Sequence, residues 1–506
     1  MDALSDNKRL AKNTAFLYLR MLLLMFVSFY TSRIVLDQLG SVDYGIYNVV
    51  GSLILLFTFI QGSLSSSASR YLSYEIGAGT EQSLRRVFCM TMNIHLLFVI
   101  LILFFAETVG LWYFYNKMVI PDERRIAGLV VYQLSNLSAI LTVISVPYTS
   151  MLIAQEKMKQ FAYLSIIEAL AKLGIAFCLY INGIDKLILY ASLLLLTHLG
   201  VALLYYIYCK KKFNASKYSL YWDKSMFKEM MAYNGWSIGS YISANFVNQI
   251  MNLLLNVFFG PVVNAARAVS YQVQTNISKF VVNFQIALNP QVIKQYASQN
   301  INRVLELTSM SIKVSFSLLL ILMFPILVNV DFILSIWLKD VPQYTNIFIV
   351  IVCLGAIFGS MSNVFSVIAQ AANRLKIFSL LTIPLYLLSI PIVYILLNNG
   401  AKAYWALLVA SLVQFLELFI KFFIIRYIIK MPMHEELFVI GKCIGTTLLF
   451  FILGCFMRFF GGDNVVMNLI SLSCCFILAV VWSYFCIFNN QERSLLVISI
   501  KNKFKR

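Results

Sequence analysis

Apolar runs of membrane length recur along this chain, separated by short polar breaks. A helix needs roughly 20 apolar residues to cross a bilayer. Fourteen segments qualify, at about 13–36, 43–64, 86–108, 125–150, 160–182, 186–209, 233–259, 263–290, 308–330, 344–371, 376–398, 401–428, 436–458 and 466–488. Two of them, the seventh and eighth, are far more polar than the rest. Asn245, Asn248, Gln249 and Asn252 fall at i, i+3, i+4 and i+7, one helical stripe. Gln272, Asn276, Lys279 and Asn283 fall at i, i+4, i+7 and i+11, a second stripe. Polar groups at membrane depth are costly unless they face a protein-lined or water-filled cavity. These stripes therefore predict a hydrophilic path through an apolar bundle. In the second segment Tyr44, Asn48, Gly51, Thr58, Gly62 and Ser66 share a face, which suits either a pore wall or close helix packing through small residues.

The pattern also repeats. Gly40 ends the first segment and Gly260 the seventh, each opening a break of a few residues. In each copy a long segment then runs to a basic stretch, Arg85-Arg86-Val87 or Arg303-Val304, displaced by about 220 residues. Six helices followed by six in the same orientation predict parallel repeats. The expected organisation is a first lobe over 1–209, a linker over 210–232, a second lobe over 233–428, and two further spans with a basic tail over 429–506. The linker opens with Lys210-Lys211-Lys212 and mixes Trp222, Met226, Met230 and Met231 with Lys224 and Lys228, which predicts a short amphipathic surface helix.

Composition agrees with an all-α polytopic membrane protein: 60% of 506 residues are hydrophobic, 12% are charged, and mean hydropathy is +0.80. Met1–Lys12 are polar and precede a segment too long for a signal peptide, so an uncleaved membrane segment is expected. The net charge of +18 is a topology signal. Twenty-five basic residues fall in alternate breaks, among them Arg85, Arg86, Lys210–Lys212 and Lys501–Arg506, against seven in the others: Lys117, Arg124, Arg125, Lys186, Lys339, Lys402 and Arg458. That bias places both termini in the cytoplasm and favours anionic membrane lipid, with no need for nucleic acid.

Catalytic signals are missing. His95 and His198 lie in apolar segments and read as packed, while His434 stands in a loop beside Glu435 and Glu436. The nine cysteines form no CxxC and read as small core residues. No phosphate-binding GxxxxGK[ST] occurs, and no cofactor or metal is expected. Charges within the segments are more informative. Glu168 with Lys172, and Glu417 with Lys421, are i,i+4 pairs that neutralise themselves. Arg33, Lys442 and Lys313 stand near segment ends, where they can snorkel. Arg20, Arg267 and Lys279 remain without a local acid. Arg20 either snorkels or faces a lumen. The eighth segment presents Lys279 on one face and Arg267, Gln274 and Gln285 on roughly the other. Cations amid carboxamides suit a cargo with phosphate or carboxylate and sugar hydroxyls. A cation exporter would instead want an unpaired acid in the first two segments, where Asp37 and Asp43 stand only at the outer turn.

The stretch TSRIVLDQLGSVDYGIYNVVGSLILLFTFIQGSLSSSASRYLSYEIGAG (Thr31–Gly79) resembles the start of bacterial polysaccharide-export flippases of the O-antigen translocase type. YNGWSIGSY, FGPVVNAARAVSYQVQ and ALNPQVIKQYASQN, within Tyr233–Asn300, resemble that family's second lobe. The resemblance implies two six-helix lobes plus two terminal helices, in a V-shaped bundle with a cationic cavity. It implies transfer of an undecaprenyl-diphosphate-linked oligosaccharide from the cytoplasmic to the periplasmic leaflet of the inner membrane, by a non-enzyme acting as a monomer alongside polysaccharide polymerase and assembly proteins. Related lipid II flippases use arginines on their first and eighth spans, and Arg20 and Arg267 occupy similar places. On this reading Arg20, Arg267 and Lys279 hold the diphosphate, while Asn48, Asn245, Asn248, Gln249, Asn252, Gln272, Asn276 and Asn283 line the glycan path. The alternatives are a cation-coupled multidrug exporter of the same superfamily, a membrane polysaccharide polymerase or ligase, and a scaffold without transport. A polymerase would need a large outer loop, and no outer break exceeds about twenty residues.

Overall fold

The computed structural model describes residues 2–116, 118, 120–181, 183, 185–338, 341–430, 433–459, 465–490 and 492–493. For 2–12, 29, 32, 36, 41–42, 45, 48–49, 51–60, 241, 244, 261 and 458–459 it describes the backbone alone. Helix is the only regular structure among the described residues. They form two compact units, Arg9–Tyr241 and Ile242–Arg506, the latter with Met1–Lys8.

The first unit contains α1 (Asp2–Ala78) from Arg9 onward, α2 (Glu81–Phe105), α3 (Leu111–Asn116), α4 (Arg125–Ala154), α5 (Met158–Cys178), α6 (Lys186–Lys212) and the start of α7 (Lys224–Phe259). The rest of α7 belongs to the second unit. There it leads into α8 (Pro261–Ala297), α9 (Ile301–Val328), α10 (Val330–Trp337), α11 (Thr345–Ala371), α12 (Leu375–Asn398), α13 (Tyr404–Ile429), α14 (His434–Phe459) and α15 (Val465–Trp482).

Twelve helices among the described residues are long and apolar enough to cross a membrane, two short of the fourteen expected. The segments outside that set are α8 and the part of α1 beyond Gly40, which are expected spans eight and two. At 37 residues α8 has the length, and its carboxamides and cations remove it from the apolar set.

The two glycine breaks are conformational twins. Gly40 has φ 72° and ψ 174°, and Gly260 has φ 78° and ψ −174°. That region is open essentially to glycine alone. At neither position would a Cβ meet anything within 4 Å, so the requirement is backbone conformation, not room. Pro261, whose fixed φ suits a first helical turn, then starts α8. The parallel extends to the next helix starts. Thr80 caps α2 by accepting from the Ser83 amide at 3.2 Å, and Asn300 caps α9 by accepting from the Arg303 amide at 3.3 Å.

Each unit has its own core. In the first, Val35, Val50, Val131, Ala176 and Leu187 join α1, α4, α5 and α6. In the second, Leu255, Ala266, Phe348, Val393 and Leu407 join α7, α8, α11, α12 and α13. Large apolar side chains such as Phe26, Ile126, Tyr427 and Ile452 stand exposed on the helices. In a bilayer such surface is covered by lipid at no cost.

The linker departs from expectation. Lys217–Asp223 are not helical, and Met226, Met230 and Met231 lie in the first turns of α7. No separate surface helix forms.

Candidate functional site

The second unit sorts the polar residues of α7 and α8 into two kinds of surface. Arg267 is 8% exposed and reaches across to α7. Its Nη1 donates to Asn252 Oδ1 at 3.3 Å, and its Nη2 donates to the Asn248 carbonyl at 3.2 Å and to Asn248 Oδ1. The guanidinium stacks on Tyr271, 4.6 Å from the ring centre, while Nε has no partner. The same face of α8 carries Gln285. Its Nε2 donates to Ser315 of α9 at 3.2 Å and to the Ser360 carbonyl of α11 at 3.0 Å, and its Oε1 accepts from Asn363 at 2.8 Å. Arg267 and Gln285 are thus the polar joints of α8 with its neighbours. A buried amide or guanidinium left unpaired is costly, which is why each is matched by several partners.

A second surface of α8, about 120° around from Arg267, is open. Val262, Ala265, Ala268, Gln272, Thr275, Lys279 and Val282 form one exposed helical stripe, apolar at both ends and polar between Gln272 and Lys279. Lys279 Nζ donates to Asn276 Oδ1 at 2.8 Å, which leaves the ammonium two further protons to offer. Asn283 is buried and donates to the Lys279 carbonyl at 2.8 Å.

These placements revise several expectations. Asn248 and Asn252 accept from Arg267, so this stripe also joins α7 to α8, while Asn248 is itself exposed. Gln249 is exposed, and Asn245 is half-buried with a partner of its own. Gln272 and Lys279 are exposed, Asn276 supports Lys279, and Asn283 is withdrawn into the helix surface. Arg267 and Lys279 are not brought together on one face of α8. They stand twelve residues apart, about 18 Å along the axis and about 120° around it, and Arg267 is held by α7. Asn48 lies outside the described side chains. Thr275, between Gln272 and Lys279 on the open stripe, was missed because the sequence pattern tracked carboxamides.

Arg20 belongs to the first unit. Its guanidinium lies 4.6 Å from the centre of the Phe161 ring on α5, and its Nε is buried without a partner. Tyr205 and, more weakly, Glu168 are its electrostatic neighbours. Glu168 also pairs with Lys172 at 2.6 Å, as its spacing predicted. Lys313 does not snorkel. It is buried, and its Nζ lies 2.8 and 3.0 Å from the two oxygens of Glu492, 179 residues away. Lys421 pairs with Glu417 at 2.7 Å, as its spacing predicted. His95 is buried, its Nδ1 2.7 Å from the Thr91 carbonyl, in keeping with a packed histidine. Beyond Gly40, Arg70 is buried at the far end of α1, 4.1 Å from the Tyr71 ring centre.

An apolar pocket opens among α9, α11 and α14, lined by Leu320, Phe324, Leu354, Ile357, Phe450 and Gly454 among others. Its chemistry suits a hydrocarbon chain.

Comparison with known proteins places this architecture. A family model described as "Polysaccharide biosynthesis protein" matches residues 10–294, and a second, MatE, matches residues 237–395. No curated protein matches. Among solved structures, an outward-facing multidrug resistance MATE family transporter of the MOP superfamily is similar at TM-score 0.70 and 14% identity, covering 84% of this chain and 97% of that one. A MOP superfamily transporter from Pyrococcus furiosus, described as having a binding pocket of reversed polarity, is similar at TM-score 0.69 and 13% identity, covering 83% and 96%. A mutant MATE transporter from Vibrio cholerae is similar at TM-score 0.71 and 14% identity, covering 84% and 97%. The chain has the fold of MOP superfamily transporters.

Proposed function

The chain belongs to the polysaccharide biosynthesis protein family, and from that premise we propose that it is a flippase for a lipid-linked oligosaccharide bearing a diphosphate. The cargo is an undecaprenyl-diphosphate-linked repeat unit of an O-antigen, capsule or exopolysaccharide. It passes from the cytoplasmic to the periplasmic leaflet of the bacterial inner membrane by alternating access, and no bond is made or broken. One observation carries the reading: the polar patch Gln272–Thr275–Lys279 on the open stripe of α8. An ammonium with spare donors offers charge-assisted hydrogen bonds to phosphate, and the carboxamide and hydroxyl beside it bond sugar hydroxyls in both directions. Lys279 is the cargo-holding cation in this scheme. Arg267 fixes α8 against α7 and offers at most its Nε–H. The apolar pocket suits the lipid end of such a cargo.

The test replaces Lys279 by Ala in a strain depleted of the native protein, with surface glycan as the readout and protein level checked by blot. Losing a charge-assisted hydrogen bond, worth about 1.5–3 kcal/mol, should lower flipping about 10- to 100-fold at an unchanged protein level. Lys279→Arg should restore part of it. Full activity of the Ala variant would remove the phosphate-holding role.

A second reading, multidrug export, is favoured by the MatE match over residues 237–395. It predicts that the protein expels cationic dyes and that Lys279→Ala improves their export by removing a like charge. The flippase reading predicts no dye export in either form.

A further inference from the structure

The connection between α6 and α7 is neither a helix nor a loose loop. It is a strap laid along the first turns of α2. Arg85 Nε donates to the Lys217 carbonyl at 3.3 Å, and Asn93 Nδ2 donates to the Tyr221 carbonyl at 2.7 Å. The Tyr218 hydroxyl donates to Asn93 Oδ1 at 2.8 Å, and the Ser219 amide donates to Cys89 Sγ at 3.4 Å. These bonds fix the strap with its apolar side chains pointing away from the protein. Leu220 is 88% exposed and Trp222 60% exposed. Trp222 is further held on Phe227 at 4.6 Å between ring centres.

A rigid backbone that presents a leucine and a tryptophan outward needs a partner. The charges beside it say which. Lys210, Lys211 and Lys212 form the last turn of α6, Lys217 lies on the strap, and Lys224 and Lys228 open α7. Over residues 210–232 only Asp223 and Glu229 oppose them. The strap also begins where a membrane-length helix ends, at the level where a bilayer's headgroups lie. Tryptophan favours that level, and lysines near it gain from anionic headgroups.

We propose that residues 210–228 are a docking surface for anionic phospholipid headgroups, with Leu220 and Trp222 inserted between the lipids and the lysines on their phosphates. The inference requires the chain to span a bilayer but does not depend on its cargo. The strap, through α2 and the start of α7, then ties the first unit to an anionic leaflet.

The experiment uses the full-length protein with Trp222 as its only tryptophan, the other five replaced by Phe, in nanodiscs. Phosphatidylglycerol or phosphatidylcholine brominated on the acyl chain serves as quencher from the lipid side, and iodide from water. The expected result is strong quenching of Trp222 by brominated lipid, greater for phosphatidylglycerol, and protection from iodide. Inorganic phosphate at matched ionic strength should not reduce the preference. Lys210→Gln/Lys211→Gln/Lys212→Gln should cut the phosphatidylglycerol preference by about fivefold per lysine. Should the single-tryptophan protein fail to fold, native mass spectrometry of the wild type and the triple Gln variant gives the same comparison through retained phosphatidylglycerol. Iodide quenching with no lipid quenching, or equal lipid retention by the two proteins, would overturn the proposal in favour of a face open to soluble partners. Loss of the preference in phosphate would overturn it in favour of a small phosphate site.

Discussion

Replacing Lys421 by Met alone should harm the second unit more than replacing Lys421 and Glu417 together. The two side chains are 10% and 8% exposed, with Nζ 2.7 Å from Oε1, near the middle of α13. Tyr386 of α12 donates to the other carboxylate oxygen at 2.6 Å, and Lys421 also donates to Ser366 of α11 at 3.0 Å. The ammonium lies 5.1 Å from the centre of the Phe378 ring. This is a closed network in which every carboxylate oxygen is engaged. In Lys421→Met the carboxylate keeps Tyr386 but loses its counter-charge. Removing one partner of a buried pair costs about 3–5 kcal/mol. In Glu417→Gln/Lys421→Met no charge remains, side-chain volumes are nearly kept, and Tyr386 still has an acceptor. Neutral replacement of a buried pair is often free of cost, so the double variant should lie within about 1 kcal/mol of wild type. The single Lys421 variant should then lie about 2–4 kcal/mol below the double variant, and the coupling in the cycle exceeds that gap by the cost of Glu417→Gln alone. Glu417→Gln alone should fall between, because the lysine stem can carry its ammonium toward a polar boundary. The assay is equilibrium unfolding in mixed micelles by SDS titration, read by tryptophan fluorescence, with membrane insertion checked by blot. The double variant should also keep transport, which sets this pair apart from Lys279. Equal losses in the single Lys421 variant and the double variant would refute the reasoning, because the pair would then be worth no more than its packing.

Gly40→Ala and Gly260→Ala should each cost about 1–3 kcal/mol, because φ near +75° with extended ψ is closed to alanine; the yield of monodisperse protein after extraction measures this, and an unchanged yield would contradict the backbone argument. Asp185 caps α6 and accepts from Arg124 at 2.5 Å. Burial would raise its carboxyl, but the Arg124 bond and the Ile188 and Leu187 amides outweigh that and hold it below the usual range. Its contribution is therefore complete above the ordinary carboxylate pKa of about 3.9 and is lost as pH falls through the lower folded value. The Tm difference between wild type and Asp185→Asn should be constant from about pH 8 to 5 and shrink only below about pH 4. Cysteine placed at Lys212 should label only from the cytoplasm and at Lys402 only from outside, given the basic bias of the alternate breaks; labelling of Lys212→Cys by an impermeant reagent in intact cells would reverse the orientation.

The sequence by itself determined the features that depend only on neighbours along the chain. Apolar runs of membrane length dictate helices, because only a helix satisfies its own backbone in lipid. Gly40 and Gly260 mark the two breaks, because no other residue takes that φ and ψ readily. The i,i+4 pairs Glu168–Lys172 and Glu417–Lys421 form as their spacing requires. Spacing also sets the angle of each polar residue around its helix, but it does not say what stands at that angle. Only tertiary structure turned Asn248 and Asn252 toward Arg267, left Gln272, Thr275 and Lys279 on the open stripe, and joined Lys313 to Glu492. The strap is decided in the same way. The linker 210–232 mixes lysines with apolar side chains as a surface helix would, yet the backbone groups and side chains of 217–221 bond to α2, a partner more than a hundred residues away. Buried polar groups are paired wherever packing brings a partner, and that pairing is a property of the assembled helices that no window of sequence contains.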